Sequence, residues 1–282
     1  MTHPIKTALI GAGRWGTNVA RELHTQSDFV SFATKESSPT FFEAKHQTVE
    51  EILADTSISA VAITTPIATH GEMTRRALEA GKHVFCEKTL AGSSEEAYAL
   101  AHLAKEKNLI LMTGYIFLYH PVYQELKRIL KEEKPLRIEC VWKKHGTFTE
   151  SIESNLLTHH LALGYDLFGM PQSGVITHRE SGETACDRIE ATLSYPDCKF
   201  VSRIDRLSEE RSHTITASLA NGDTLVWNGA ELTRNDEPVF HSEEEPLTRE
   251  IRAFLHAVHG GPTPVTAGDF GARILEIHEL LR

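Results

Sequence analysis

The feature that most constrains the fold is the segment from Thr7 to Leu23, TALIGAGRWGTNVAREL, in which a short apolar strand runs into Gly11, Gly13 and Gly16 and leaves as an amphipathic helix. Gly11 allows a tight turn, Gly13 lets backbone approach a pyrophosphate, and Gly16 lets the helix pack against the strand. A helix starting there also presents unpaired N–H groups and the positive end of its dipole to phosphate. GxGxxG alone is a weak signal. Its place after a strand, before a helix and ahead of further strand and helix patterns makes it a dinucleotide-binding fingerprint.

The first half continues that alternation. Candidate strands are 7–10, 29–33, 60–64, 83–87 and 109–113, with helices starting near 14, 49, 70 and 95. Parallel strands joined by helices make a doubly wound sheet. Capping-box spacings mark three helix starts, Thr48 with Glu51, Thr69 with Glu72 and Ser93 with Glu96, and Gly81 is placed as a helix stop. The segment 32–48 is too short for a full crossover helix. Lys88 follows the short strand that ends near Cys86, which delivers it to the carboxyl edge of the sheet, where open α/β sheets bind ligands. A lysine at the end of an element is commonly a solvated loop residue, so its position alone does not make it functional.

After Tyr115 the pattern changes. His120-Pro121 starts a helix to about residue 131, 136–144 is a strand, and a helix occupies about 155–168. Ile189, Ala191 and Leu193 alternate with period two, as do Ile215, Ala217 and Leu219, with turn signals at Pro196-Asp197 and Asn221-Gly222. The acidic stretch 235–245 has the composition of a solvated connection. Two amphipathic helices, 247–258 and 270–281, close the chain around Gly260-Gly261-Pro262. The expected architecture is α/β, a Rossmann domain over 1–118 followed by an α+β domain over 119–282 built on an antiparallel sheet.

A chain of 282 residues with 40% hydrophobic content fits two domains. It has no apolar run long enough to span a bilayer and no signal-peptide core, so no membrane association and a cytoplasmic location are expected. Cys86, Cys140, Cys186 and Cys198 form no CxxC pair and are expected to be reduced. A net charge of -10 argues against nucleic acid as a partner. The 16 histidines are dispersed without ligand spacing, so no metal site is expected.

The GAGRWG loop, Thr65-Pro66 with Thr69-His70 behind it, the AGKHVFCEK block, and a histidine in a helix ahead of Leu167-Phe168-Gly169 together resemble the glucose-fructose oxidoreductase, inositol dehydrogenase and rhizopine-catabolism family, written Gfo/Idh/MocA. The closing PLTREIRAFLHAV and GDFGARILEIHELL segments resemble that family's C-terminus as well. The resemblance implies a C-terminal domain with an open, mostly antiparallel sheet that serves substrate binding and assembly into a homodimer or homotetramer. It also implies NAD(P)-dependent oxidation or reduction of a small sugar-like molecule, a sugar, sugar derivative or cyclitol. Gly11, Gly13, Arg14, Trp15, Gly16, Thr65, Pro66, His70, Glu87 and Lys88 are then cofactor contacts. The family's Glu-Lys-Pro falls on Glu87, Lys88 and Thr89, so Lys88 corresponds to the catalytic lysine and Thr89 departs from proline. The family's helical Asp and His fall on Asn155 and His159. Asn155 orients a hydroxyl but takes no proton, and four residues on a helix share a face. Tyr115 resembles the entry to the family's substrate side, which groups it with Lys88, Asn155 and His159 as substrate contacts.

Hydride transfer from a carbinol carbon leaves a hydroxyl proton to be moved, so a positioned acid or base is required. Histidine titrates near neutrality, which assigns proton transfer to His159 and a polarising hydrogen bond to Lys88; the exchanged assignment uses the same two residues. NADP is expected in preference to NAD. The end of the second strand normally carries an acid that binds the ribose 2′-hydroxyl. Here the register puts Thr34 there, followed by Lys35, with Arg14 as a further cation; a slipped register brings Glu36 instead. Two other readings stay open: a catalytically weak or inactive NADP(H)-binding regulator, suggested by Thr89 and Asn155, and an NAD(P)H reductase acting on a nonsugar substrate.

Overall fold

Strand, glycine turn and helix form in the computed structural model where the sequence puts them, as β1 (Lys6–Ile10) and α1 (Arg14–Gln26). The structure describes residues 4–35, 43–146, 150–182 and 186–281; Glu36 lies outside them. The chain forms two compact units, Met1–Ile116 with Leu247–Leu275, and Phe117–Pro246 with Glu276–Arg282.

The first unit is built on a six-stranded sheet in the order β3-β2-β1-β4-β5-β6. Its other strands are β2 (Asp28–Ala33), β3 (Lys45–His46), β4 (Ala60–Ile63), β5 (His83–Glu87) and β6 (Leu111–Gly114), and every pairing is parallel. Because β1 is flanked by β2 and β4, the strand order reverses there and opens a crevice at the carboxyl ends of β1 and β4. Ala8, Leu9 and Ile10 are all buried, as strands covered on both faces require. Helix α1 buries Gly16, Val19, Ala20 and Leu23, one stripe of a 3.6-residue period.

Helix α2 (Val49–Ala54) starts in a full capping box, with the Glu51 amide donating to Thr48 Oγ1 at 3.1 Å and the Thr48 amide to Glu51 Oε2 at 2.8 Å. Helix α3 (His70–Glu79) does not have the expected box. A 3-10 turn over Ile67–Thr69 precedes it, and the Thr69 hydroxyl donates back to the Pro66 carbonyl at 2.8 Å instead of capping forward. Helix α4 (Ser94–Glu106) takes half a box: Ser93 accepts from the Glu96 amide at 3.2 Å, while the Glu96 carboxylate accepts from the Gly92 amide at 3.1 Å.

Residues 247–275, placed by the sequence in the second half, count with the first unit. The physical reason is apolar burial. Phe254, on α7 (Pro246–Val258), packs on Phe85 of β5 with ring centroids 5.9 Å apart, and Ala272 and Leu275, on α8 (Phe270–Leu280), join the core beneath the sheet. The Thr113 amide also donates to the Thr266 carbonyl at 3.0 Å along β6.

The second unit carries an eight-stranded sheet in the order β14-β13-β12-β11-β7-β10-β9-β8. It comprises β7 (Pro135–Lys143), β8 (Ser173–Glu180), β9 (Arg188–Ser194), β10 (Lys199–Asp205), β11 (Ser212–Leu219), β12 (Thr224–Asn228), β13 (Glu231–Arg234) and β14 (Glu237–His241). The sheet is mostly antiparallel, β7 and β10 forming its parallel pair. The acidic stretch expected as a solvated connection holds β14. Asn235 and Asp236, both at positive φ (51° and 68°), turn the chain tightly enough to pair it with β13.

Register sorts the two faces of this sheet. Cys140 and Trp142 of β7 lie beside Ser202 and Ile204 of β10 and opposite Ile215 and His213 of β11. The other face carries charge, with Arg203 Nε 2.6 Å from Glu190 and the same guanidinium paired to Glu139. Helix α5 (Pro121–Glu132) is capped by His120, whose Nδ1 accepts from the Val122 amide at 3.2 Å. Helix α6 (Thr158–Phe168) follows a π turn over Glu153–Leu157. Asp166 of α6 is a buried partner, not a surface charge: it accepts from Tyr123 Oη at 2.5 Å and from Lys127 Nζ at 2.6 Å.

All four cysteines are free thiols. Burial pushes Cys86 up to about 12 and Cys198 up to about 11, so neither is a ready nucleophile at neutral pH. Among the described residues no helix is long and apolar enough to cross a membrane, and no group of three or more His, Cys, Asp or Glu residues could hold a metal ion.

Candidate functional site

The glycine turn divides its labour as the sequence motif requires. Gly11 has φ +100°, and a Cβ there would lie 2.6 Å from the Thr65 amide nitrogen, so only glycine fits between β1 and the end of β4. A Cβ on Gly16 would lie 2.2 Å from the Gly11 carbonyl oxygen and 2.7 Å from Thr64 Oγ1, which shows that Gly16 brings the first turn of α1 against the loop. Thr64 Oγ1 donates to the same Gly11 carbonyl and ties β4 to the turn. Gly13 is different: a Cβ there would meet no protein atom within 4 Å. Gly13 is the N-cap of α1 and no side chain caps the helix, so its first amides face the open space in front of Gly13. That cradle fits a pyrophosphate.

Around it, Arg14 is exposed and Trp15 is 40% exposed, its indole N–H donating to Glu87 Oε1 at 2.6 Å. Thr34 and Lys35 follow β2 directly, and Lys35 is exposed. Thr65 and Pro66 follow β4, with the Thr65 and Thr69 hydroxyl oxygens 2.8 Å apart. His70 is buried: its Nδ1 and Nε2 each lie 2.8 Å from a carbonyl oxygen, of Thr89 and Thr65 respectively. The ring therefore staples the loop after β4 to the segment after β5.

Lys88 is half-buried at the end of β5, on the same carboxyl edge as the glycine turn, and the Lys88-Thr89 peptide is cis. Behind it Glu87 is 9% exposed; burial raises its pKa, opposed first by the Trp15 hydrogen bond and then by the Lys88 and His70 charges. Tyr115 is fully buried and packs in this unit, its ring 5.6 Å from Phe270 between centroids.

Glu250 lies outside the set that sequence singles out. It is wholly buried on α7, and neither carboxyl oxygen has a hydrogen-bond partner of good geometry. Burial holds its pKa well above the usual carboxylate range, reinforced by the negative charge of Glu87, against the pull of the Tyr115 backbone. Its signal was available: spacings of three and four place it with Leu247 and Phe254 on the apolar face of the helix. Unfolded, this carboxyl titrates near about 4.3, so below that pH both states are protonated and Glu250→Gln should change stability little. As pH rises toward the higher folded value the wild type loses stability that the neutral amide keeps. Denaturant unfolding across pH should therefore show Glu250→Gln gaining on wild type above about pH 4, by an increasing margin. A difference independent of pH would mean that Glu250 does not titrate abnormally.

In the second unit Asn155 sits in the π turn and is half-buried, while His159, 8% exposed, is on α6 proper. The face shared at four-residue spacing belongs to an α-helix, and the wider turn at Asn155 alters it. His159 packs edge-on to Phe117, with centroids 5.1 Å apart, and 5.7 Å from Trp142. Its neighbour His160 is fully buried and hydrogen-bonded to Ser202 and His213. Those three were also outside the sequence-based set, although His213 has the parity of Ile215, Ala217 and Leu219, and Ser202 that of Phe200 and Ile204.

A glycine cradle at the reversal point of a parallel sheet, with a lysine on the same edge and a second unit built on a mostly antiparallel sheet, defines a dinucleotide-binding α/β protein. Residues 5–115 match the model of the Gfo/Idh/MocA family, described as an oxidoreductase family with an NAD-binding Rossmann fold. It is 33% identical over 138 residues to scyllo-inositol 2-dehydrogenase (NAD(+)) of Bacillus subtilis strain 168, a match spanning 45% of this chain and 40% of the relative. It is 24% identical over 249 residues to D-xylose 1-dehydrogenase (NADP(+)) 2 of Haloferax volcanii, covering 76% of this chain and 74% of the relative. The chain thus spans less than half of the inositol enzyme's length but most of the xylose enzyme's. In fold it is similar to UDP-N-acetylglucosamine 3-dehydrogenase of Acidithiobacillus ferrooxidans, with a TM-score of 0.87 over 100% of this chain and 97% of that one at 23% identity.

Proposed function

We propose that the protein is an NAD(P)-dependent oxidoreductase acting on a CH–OH group of a sugar, sugar derivative or cyclitol. The observation that carries the reading is the carboxyl edge of the first sheet, which holds both the glycine cradle after β1 and Lys88 after β5. A bound nicotinamide cofactor supplies the hydride acceptor or donor. Lys88 hydrogen-bonds the reacting oxygen and stabilises charge developing on it. His159 takes or returns the hydroxyl proton, and Asn155 orients a substrate hydroxyl without carrying a proton. Glu87 holds the Trp15 indole and so links the glycine loop to the strand that delivers Lys88.

The deciding experiment is a turnover screen of NADP⁺ and NAD⁺ against sugars, cyclitols, sugar acids and nucleotide sugars, with His159→Ala beside wild type. Oxidation of at least one polyol or sugar, lost in His159→Ala, is expected. Cofactor binding without turnover of any compound would favour a second reading, a binding regulator, for which Asn155 in place of an acid is the specific observation. The proposal also places the protein in the cytoplasm as a homodimer or homotetramer assembled through its second sheet, which sedimentation equilibrium measures.

The preferred cofactor under this reading is NADP. Thr34 and Lys35 follow β2 where an acid would repel a 2′-phosphate, and the Lys35 ammonium attracts it. Lys35→Ala should weaken NADP⁺ about tenfold and leave NAD⁺ near wild type in fluorescence titrations. Equal affinity of the wild type for the two cofactors would sink the preference.

A further inference from the structure

Beneath the second sheet's helix three side chains form a chain of two hydrogen bonds. His160 Nδ1 lies 2.6 Å from Ser202 Oγ, and His160 Nε2 lies 2.9 Å from His213 Nε2. Ser202 and His160 are 2% and 0% exposed, and Ser202 has no other side-chain partner among the described residues. His213 is half-buried, and its other nitrogen, Nδ1, has no hydrogen-bond partner among the described residues, yet is not one of the sealed polar atoms.

Between two imidazole Nε2 atoms one carries the proton and the other accepts it. If His213 donates, His160 must place its proton on Nδ1 and give it to Ser202, and the serine O–H is left buried without an acceptor. If His160 donates, the serine O–H gives to His160 Nδ1 and every buried group is satisfied. Burial of polar groups selects the second arrangement. His213 then has a bare Nε2 facing His160 and its proton on Nδ1.

We infer that His213 is a specificity-determining residue whose Nδ1–H, fixed by the Ser202–His160 chain, donates a hydrogen bond to an oxygen of the sugar-like ligand. The inference rests on the proposed oxidoreductase reading. The surroundings agree: Trp142 lies 4.5 Å from the His213 ring and 5.7 Å from His159, between centroids, so His213 shares a neighbour with the residue assigned the proton. The Lys144 ammonium stands 5.2 Å from the Trp142 ring centroid and favours an oxygen that carries partial or full negative charge. Burial, with His120 and Lys144 nearby, depresses His213 to about 3, so the ring donates as a neutral imidazole throughout the working pH range.

The test combines a tautomer measurement with a kinetic one on the full-length protein. Nitrogen-15 histidine NMR of the wild type should show His213 protonated at Nδ1 and His160 at Nε2, unchanged from pH 5 to pH 8. On the substrate found in the turnover screen, His213→Phe should raise KM about 10–100-fold, with kcat within about threefold and NADP⁺ affinity at wild type. His213→Asn, whose amide nitrogen takes the place of Nδ1, should restore KM to within about fivefold. A His213 proton on Nε2, or an unchanged KM in His213→Phe, overturns the inference. A protein that oxidises nothing yet shows the Nδ1–H pattern fails the functional reading alone and keeps the tautomer assignment.

Discussion

Replacing Lys88 by alanine is expected to lower turnover by about two to four orders of magnitude while cofactor affinity stays near wild type, the usual scale for a positioned proton-transfer or electrostatic group. The selectivity of the effect is the informative part. Lys88 comes after the last residue of β5, and Glu87, not Lys88, bonds Trp15 of the glycine loop, so removing the ammonium leaves the cradle's own contacts in place. An interaction made only in the transition state lowers kcat and kcat/KM together, whereas one made equally to bound substrate raises KM alone. Lys88→Met serves as the control that keeps an apolar stem over the same ground. Undiminished turnover in Lys88→Ala would return the residue to the solvated strand ends where lysines are common.

Alanine at Gly13 and at Gly16 should both abolish working cofactor affinity, by different routes. At Gly13 the new methyl meets no protein atom within 4 Å, so thermal stability should be unchanged, while the methyl occupies the space into which the first amides of α1 point. A cofactor Kd raised on the order of 100-fold with an unshifted melting temperature is the expected pattern. At Gly16 the methyl would meet the Gly11 carbonyl oxygen at 2.2 Å, a backbone atom that cannot swing away. Overpacking of that kind costs about 1–3 kcal/mol, so Gly16→Ala should lose stability as well as affinity. Calorimetry and a cofactor titration on both variants separate the two. Unweakened binding in Gly13→Ala would mean that the phosphates do not lie in front of Gly13.

The parts of this architecture legible in sequence are those set by neighbouring residues. The glycine turn, the parallel strands and the Thr48 cap each depend on a few consecutive side chains, and the structure has them. Thr69 shows the limit of that logic: its spacing to Glu72 suits a capping box, but the 3-10 turn before α3 gives its hydroxyl a closer acceptor in Pro66. Strand β14 hid in an acidic stretch because an edge strand with exposed side chains has little apolar alternation to show. The buried Glu250 and the Ser202–His160–His213 chain were hidden for another reason. Each joins elements far apart in the chain, α7 with β5, or α6 with β10 and β11, and periodicity within one element gives the face a residue occupies but not what it meets there.

The return of residues 247–275 to the first unit has a consequence during synthesis. A chain emerging at about 5–20 residues per second waits roughly 10–30 s between residue 116 and residue 275. For most of that interval the first sheet is complete in strands, but Phe85 lacks Phe254 and the core lacks Ala272 and Leu275. The first unit, although most of it leaves the ribosome first, thus closes over its apolar face only after the strands of both sheets have been made. A messenger cut after codon 246 would encode every strand described in both sheets and still yield a first half with its interior open.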